Sequence, residues 1–567
     1  MRKRLYSAKT QDCLAAAAIL LILLLNVWKA YYGFPARDET FVISLAHRFW
    51  QGDLPVIQEW NNSQFSAILM LPFFSMIVKG KGSTEGLVLA FRLLYVILNC
   101  CTAVFLYLKT RKYGLASIAS VSIFFLFTFG QSMVPNYNTL GLMCVIVYSL
   151  LLLEPEKHLW ISCFLAGVFY AASVLCTPYL AFLYFFGSLI LLISVVRHSE
   201  KHLYGRKAWL PFTLGAVLLA LIYIAYFLRG GSVSDLIRYM LLPLQSDSTH
   251  EYTGLGPIIN MLALCKTLWL GSRISAVILP LYFILFLVVL KKRRTAARRD
   301  RSLWFLLNFI FTLLLMIGYG AEAGGDYSMI ALAPIGFYTI LIDPDGDPVL
   351  KKLWSSGALY IVMINLSSDT IIGASNHAST VCAVASVLLV SDYLSHVDLR
   401  FRFSPNYLLG GICLLMICFE VRDKLTVIFR DAAPSELNVE ITEGPVKGIL
   451  TTSEKKAEYE HQLARIQELN LDDGKKVLFF TDQSWMYLSL QNSRYGVYST
   501  WMKPEKEEYL TMLRQYYEEF PEQIPDAAYM PAGQNGALTE EFDQIMVACG
   551  LTLQDSSDGL YYAKTVN

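Results

Sequence analysis

From its first residues to about position 420 the chain alternates long apolar runs with short polar or basic breaks, and beyond that point its pattern changes. A helix needs roughly 20 apolar residues to cross the hydrocarbon core of a bilayer. Runs near that length lie at about 13–27, 86–108, 114–131, 138–153, 159–177, 179–196, 209–228, 273–290, 303–319, 328–342, 353–366, 377–393 and 405–420. They predict a mostly α, polytopic membrane bundle of about thirteen transmembrane helices over 1–420. A further run, 65–78, is short and broken by Pro72. Counting it as a span would carry Lys109, Arg111 and Lys112 outside, against the tendency of Lys and Arg to stay cytoplasmic, so it is expected along the outer surface. The segment 257–271 reads as interfacial or re-entrant.

After position 420 charged and mixed residues take over. Short strand-like runs at 446–451, 477–481 and 561–564 alternate with helical periodicity at 454–468, 505–519 and 538–548. This predicts a C-terminal α/β domain, 421–567, with a mostly parallel sheet, long enough to hold its own core. Its Gly533–Gly536 pair reads as a turn rather than a phosphate loop.

Composition sharpens the membrane reading. Hydrophobic residues make up 55% of the chain and charged residues only 16%, with mean hydropathy +0.44. Soluble chains carry about 25% charged residues. The net charge of +1 is uninformative, but its segregation is not: 291–301 reads KKRRTAARRDR, whereas 14–27 holds no charge. Arg2, Lys3 and Arg4 place the N-terminus inside. The first run resembles a signal peptide, but no small-x-small cleavage site follows, and Trp28, Tyr31 and Tyr32 suit a membrane interface, so an uncleaved first span is expected. An odd number of spans then puts the C-terminal domain outside. The expectation is a multi-pass protein of the plasma membrane with a cytoplasmic N-terminus and an extracytoplasmic C-terminal domain. Ten of the eleven cysteines lie in apolar runs, and no Cys/His spacing suits a disulfide framework or zinc.

Candidate chemistry concentrates in the first external loop, 33–85. There Asp38 and Glu39 precede Phe41, Leu45 and Phe49, which fall on one helical face ending at Gly52. Asp38 is placed to cap this helix, which would lie in the outer interface with two carboxylates at its positive end. A capped amphipathic helix with solvated acids is the plainer reading of the same residues.

The run Asp38-Glu39-Thr40-Phe41, then Ala46, Arg48, Gly52 and Asp53, just beyond a first transmembrane helix, resembles the first external loop of GT-C glycosyltransferases, including protein O-mannosyltransferases and lipid A aminoarabinose transferases. The resemblance implies a GT-C-like fold with two surface helices in this loop, the second at 65–78, and a helix bearing Arg92 followed by a basic cytoplasmic loop. It further implies sugar transfer from a polyprenyl-phosphate donor to an acceptor hydroxyl on a glycan, lipid or protein, with Asp38 as catalytic base and Glu39 beside it. The bilayer is then a partner, and nucleic acid is not. Relatives often have a second acid in the next external loop; here that loop reads Met133-Val134-Pro135-Asn136-Tyr137-Asn138, and Asn136, Tyr137 and Asn138 become substrate-binding candidates. A Lys that relatives carry is also missing, with Asn61-Asn62-Ser63-Gln64 and Thr177-Pro178-Tyr179 at those places. Both departures leave the donor and the metal requirement open, a divalent cation being the cofactor to consider.

The phosphate leaving group needs cations at the membrane surface. Arg229, Arg238, Lys266 and Arg273, in or beside the external stretch between the seventh and eighth spans, are the candidates as a cluster, although each alone reads as a headgroup-snorkelling side chain. Asp343, Asp345 and Asp347 lack the further ligands of a calcium loop and read as a turn. Glu322 and Asp326 read as external loop acids, and His377 as a helix-start residue. A transporter or flippase would need charges near the midplane and often shows repeats. A non-catalytic scaffold would not depend on Asp38, which separates it from the enzyme.

Overall fold

The computed structural model describes residues 8–35, 37–153, 158–197, 203–239, 256–293, 298–322, 327–343, 345–367, 371–397, 399, 404–532 and 539–564. Residues 240–255, 294–297 and 533–538, with Asp326, carry parts of the expectations above and lie outside this set.

Every one of the thirteen apolar runs is helical: α1 (Ala8–Ala30), α4 (Leu87–Thr110), α5 (Leu115–Leu126), α6 (Tyr137–Leu151), α7 (Leu159–Cys176), α8 (Ala181–Val196), α9 (Leu203–Phe227), α12 (Arg273–Lys292), α13 (Arg298–Glu322), α14 (Ser328–Ile342), α15 (Pro348–Ser367), α16 (Ile371–His396) and α17 (Asn406–Thr426). Between them stand α2 (Asp38–Gln51), α3 (Ala67–Lys81), α10 (Val233–Tyr239) and α11 (Gly256–Leu270). Among the described residues nine helical stretches are long and apolar enough to cross a membrane, and four shorter apolar helices accompany them. One of the nine is the stretch containing α3, which Pro72 interrupts less than expected: the helix runs unbroken through it.

The bundle centres on α16. Its small side chains, from Ala374 through Ser379, Ala383 and Ser386, let α5, α14 and α15 approach closely. A Cβ on Gly357 of α15 would meet Cys382, and one on Gly336 of α14 would meet Ser386. The helix begins at Ile371, so His377 is not a start residue. It is buried, and its Nε2 lies 2.8 Å from the Asn138 carbonyl. α7 and α9 cross in the same way: a Cβ on Gly167 would fall 1.9 Å from the Phe212 carbonyl, and one on Gly215 1.9 Å from that of Phe164.

The last helix continues past the composition change at Glu420 to Thr426. The domain beyond it holds a small antiparallel pair, β1 (Val439–Glu440) with β2 (Leu450–Thr451), and a five-stranded sheet. That sheet comprises β3 (Lys476–Phe479), β4 (Arg494–Tyr495), β5 (Ala527–Met530), β6 (Leu551–Asp555) and β7 (Leu560–Lys564), in the order β4-β3-β5-β7-β6. Only β4-β3 and β3-β5 are parallel; β7 and β6 add antiparallel, so the sheet is mixed rather than mostly parallel. Helices α18 (Ser453–Glu468), α19 (Trp485–Leu488), α20 (Glu507–Glu519) and α21 (Thr539–Ala548) complete the domain. Its apolar core is continuous with α2 and α3: Phe41, Leu45, Phe49, Met70 and Phe74 join the cluster containing Phe479, Trp485 and Tyr516.

Candidate functional site

Two linkers meet where the bundle joins the C-terminal domain. The one after α1 pairs with β2: Gly33 N–H donates to the Leu450 carbonyl at 2.9 Å, and Leu450 N–H to that of Tyr31 at 2.7 Å. The linker after α17 is fixed by Asp431, whose buried carboxylate accepts from Phe34 N–H at 2.6 Å, Thr451 Oγ1 at 3.1 Å and Lys455 Nζ at 2.8 Å. Asp431 therefore joins the first linker, the second linker and the domain at one point.

On this frame stand Arg37, at φ 41°, and Arg430, at φ 50°, in the left-handed region that non-glycine residues avoid. Arg37 occupies the position before α2, and Asp38 is the helix's first residue. Asp38 therefore does not cap the helix, and its carboxylate is not consumed by backbone N–H groups. It pairs instead with Arg430 at 3.1 Å and is 40% exposed. Arg37 reaches across to Asp482, just after β3, at 2.5 Å. Crowding by protein raises the Asp38 carboxyl from its ordinary value; Arg430 opposes this, the neighbouring Glu39 adds to it, and Arg37 and Lys503 oppose it further. Burial likewise raises Asp482, against Arg37 and with Glu505. Arg37, Arg430 and Lys503 thus act on both acids. Lys503 lies 4.9 Å over the Trp501 ring, which packs on Phe41 of α2.

Glu39, one residue along, is 1% exposed and bound on both oxygens: Arg92 Nη2 at 2.5 Å and Met133 N–H at 2.9 Å. Arg92 also donates to the carbonyls of Ala30, Tyr32 and Gly33. This acid ties α2 to α4 and to the loop before α6.

The rest of the loop motif is a buried ion network. Around Gly52, at φ 110°, the chain turns back so that Arg48 Nε meets Asp53 at 2.7 Å and Nη1 meets Glu59 at 2.9 Å, while Nη2 donates to the Val497 carbonyl at 2.6 Å. Burial works against the charge on Arg48, but the two carboxylates more than reverse this and hold its guanidinium protonated. Other polar groups of α2 meet the same domain: Ser44 bonds Thr500, His47 bonds Tyr495, and Gln51 bonds the Ser493 carbonyl. α2 is buried from Glu39 through Phe49. It is a wedge between two bodies, not an amphipathic helix with one wet face.

The other candidates are dispersed. Asn136 caps α6, its side chain accepting from Thr139 N–H at 2.9 Å, while Tyr137 and Asn138 follow half-buried. Beneath this cap a recess lined by Tyr95, Asn99, Phe127, Thr139 and His377 leaves about 10 Å³, room for roughly one water and no sugar ring. Arg229 lies over Tyr226, whose hydroxyl donates to the Phe49 carbonyl. That is the far end of α2, roughly 16 Å along the helix from Asp38 at 1.5 Å per residue. Arg238 pairs with Glu519 at 2.7 Å. Lys266 on α11 and Arg273 at the start of α12 are exposed. Asp343 pairs with His396, and Asp347 with Lys112 and Tyr113, as ties between helices. Glu322 ends α13. The residues brought to Asp38 are instead Arg37, Arg430, Asp482 and Lys503. None of these four was singled out in the sequence.

Neither a family model nor a curated protein matches this sequence. Among solved structures the chain is similar to the Archaeoglobus fulgidus oligosaccharyltransferase in complex with zinc and sulfate. There the TM-score is 0.44 and the identity 11%, over 96% of this chain and 73% of that one. It is also similar to the archaeal oligosaccharyltransferase AglB from the same organism, in complex with an inhibitory peptide and a dolichol-phosphate, at TM-score 0.42 and 12% identity over 97% and 74%. A third similarity is to ArnT from Cupriavidus metallidurans in the apo state, at TM-score 0.37 and 11% identity over 98% of each chain. At these identities no residue of this chain is matched to one of theirs.

Proposed function

We propose that this chain is a membrane glycosyltransferase that moves a sugar from a polyprenyl-phosphate donor to an acceptor hydroxyl on the outer face of the plasma membrane, with Asp38 as general base. The observation that carries the proposal is the divergence of two adjacent acids. Glu39 is buried and saturated, whereas Asp38 keeps a partly exposed carboxylate with a raised proton affinity beside the partly exposed Arg430 and Arg37. A base whose affinity lies nearer neutrality than an ordinary carboxylate's is better matched to taking a hydroxyl proton.

In the reaction the acceptor O–H proton passes to Asp38 as the acceptor oxygen forms its bond to the anomeric carbon. The bond from that carbon to the phosphate oxygen breaks, and its electron pair leaves with the phosphate. Glu39 acts by position, through Arg92 and the Met133 amide. Among the described residues no group of three or more His, Cys, Asp or Glu side chains is arranged to hold a metal ion.

Asp38→Asn keeps size and hydrogen bonding but removes the base. Sugar transfer should fall roughly 10²- to 10⁴-fold while the protein still folds. Transfer is to be measured on purified variants with the lipid donor identified by comparing envelope glycans with and without the protein. Turnover near wild type would end the case for Asp38.

A further inference from the structure

We infer that Arg37 and Arg430 form the seat of the donor's phosphate, and that until the phosphate arrives they occupy the two junction acids, so that donor binding is what frees Asp38. The inference deepens the reading of Asp38 as the base and rests on it.

The arginines are paired crosswise. Arg37, from the linker after α1, holds Asp482 of the C-terminal domain; Arg430, from the linker after α17, holds Asp38 of the first loop. Each of these pairs engages one side of a guanidinium, Nε in one and Nη2 in the other, and the side chains are 48% and 46% exposed. A guanidinium has five N–H donors in a planar fork, so each can take phosphate oxygens as well as, or in place of, a carboxylate. Both stand on left-handed backbone that the Asp431 bonds hold fixed, which presents two forks at set positions rather than on loose loops. Lys503, held against Trp501, adds a third positive charge.

The depth is right for a lipid phosphate. The linker bearing Arg37 leaves α1 through Trp28 and Tyr32, whose rings pack at 4.8 Å, and such aromatics mark the headgroup level of a span. A polyprenyl chain in the bilayer would carry its phosphate to that level. When Arg430 turns to phosphate, Asp38 loses the cation that most lowers its proton affinity, and it becomes a stronger base only with the donor in place. Donor therefore binds before acceptor is activated.

The test uses the full chain in lipid nanodiscs, with binding read from tryptophan fluorescence. The probes are farnesyl phosphate, farnesol and inorganic phosphate. Farnesyl phosphate should bind at least about tenfold tighter than farnesol, and Arg37→Gln and Arg430→Gln should each weaken it about 10- to 100-fold. Lys447→Gln, removing a surface cation paired with Glu85, should leave it unchanged. Asp38→Asn should tighten binding about two- to fivefold, because Arg430 loses its competing partner, and misfolding cannot produce a gain. Unchanged affinity in both arginine variants, weaker binding in Asp38→Asn, or equal binding of farnesol and farnesyl phosphate overturns the inference. Inorganic phosphate competing as well as farnesyl phosphate overturns the assignment to a lipid. Normal binding in the arginine variants with an inactive Asp38→Asn enzyme removes the phosphate seat and leaves the base. An active Asp38→Asn enzyme removes the base, and with it the gating.

Discussion

Asp38 and Glu39 share a chemistry and differ in surroundings, and the difference has a measurable sign. Loss of water raises Asp38, and Glu39 adds to this, while Arg430, Arg37 and Lys503 pull the other way. A base with a raised pKa is lost as pH falls through that raised value, so kcat/KM should decline on the acid side at a pH above that of an unperturbed aspartate. Because kcat/KM reports the free enzyme, in which Arg430 still faces Asp38, Arg430→Gln should move this limb to higher pH. A limb that stays in place in Arg430→Gln would count against Asp38 as its origin. At Arg48 the prediction concerns stability. Arg48→Met leaves the Glu59 and Asp53 carboxylates without their cation and should cost about 3–5 kcal/mol in thermal or denaturant unfolding. Adding Glu59→Met should recover part of it. The motif Arg48…Gly52-Asp53 was legible in the sequence as a pattern, but its role as a folded ion network needed Glu59 and Val497, which no local spacing indicates.

At the scale of elements, apolar periodicity was the legible part. Phe41, Leu45 and Phe49 do share a buried face, and α2 does end at Gly52. The opposite face misled, because a helix side bearing Ser44, His47 and Arg48 looks the same whether water or a hydrogen-bonding domain faces it. The short strands β4 and β5 were hidden for another reason: Arg494-Tyr495 and Ala527–Met530 contain no β-branched residue to mark them. The α7–α9 crossing had no prior signal either, since Gly167 and Gly215 matter only as a facing pair. Gly167→Leu should push these helices apart and lower the melting temperature of the solubilised protein, by more than the same change at Gly187, where a Cβ meets nothing within 4 Å. Equal shifts at both positions would refute the close crossing.

Across the whole molecule, the change of composition near 420 falls inside the last helix of the bundle, and nothing in the sequence marked the two parts as sharing a core. The core around Trp485 and Tyr516 is completed by α2 and α3, so a fragment of residues 431–567 expressed alone should expose apolar surface and self-associate. Size-exclusion chromatography checks this, and a compact monomer would contradict it. Orientation is testable by cysteine labelling in intact cells, with residues added at the exposed positions Lys292 and Gln554 in a cysteine-depleted background. Labelling at 554 and protection at 292 are expected.

The wedge position of α2 also sets a timetable for synthesis. Arg48 emerges early, yet the Val497 carbonyl it binds follows 449 residues later. At roughly 5–20 residues per second, translation leaves the loop without that partner for about 20 to 90 seconds. The nascent first loop therefore waits at the membrane with Asp38 present but Arg430, Asp482 and Lys503 still unmade. The junction around Asp38 is therefore complete only after Arg430, Asp482 and Lys503 have been made and the C-terminal domain has docked on α2.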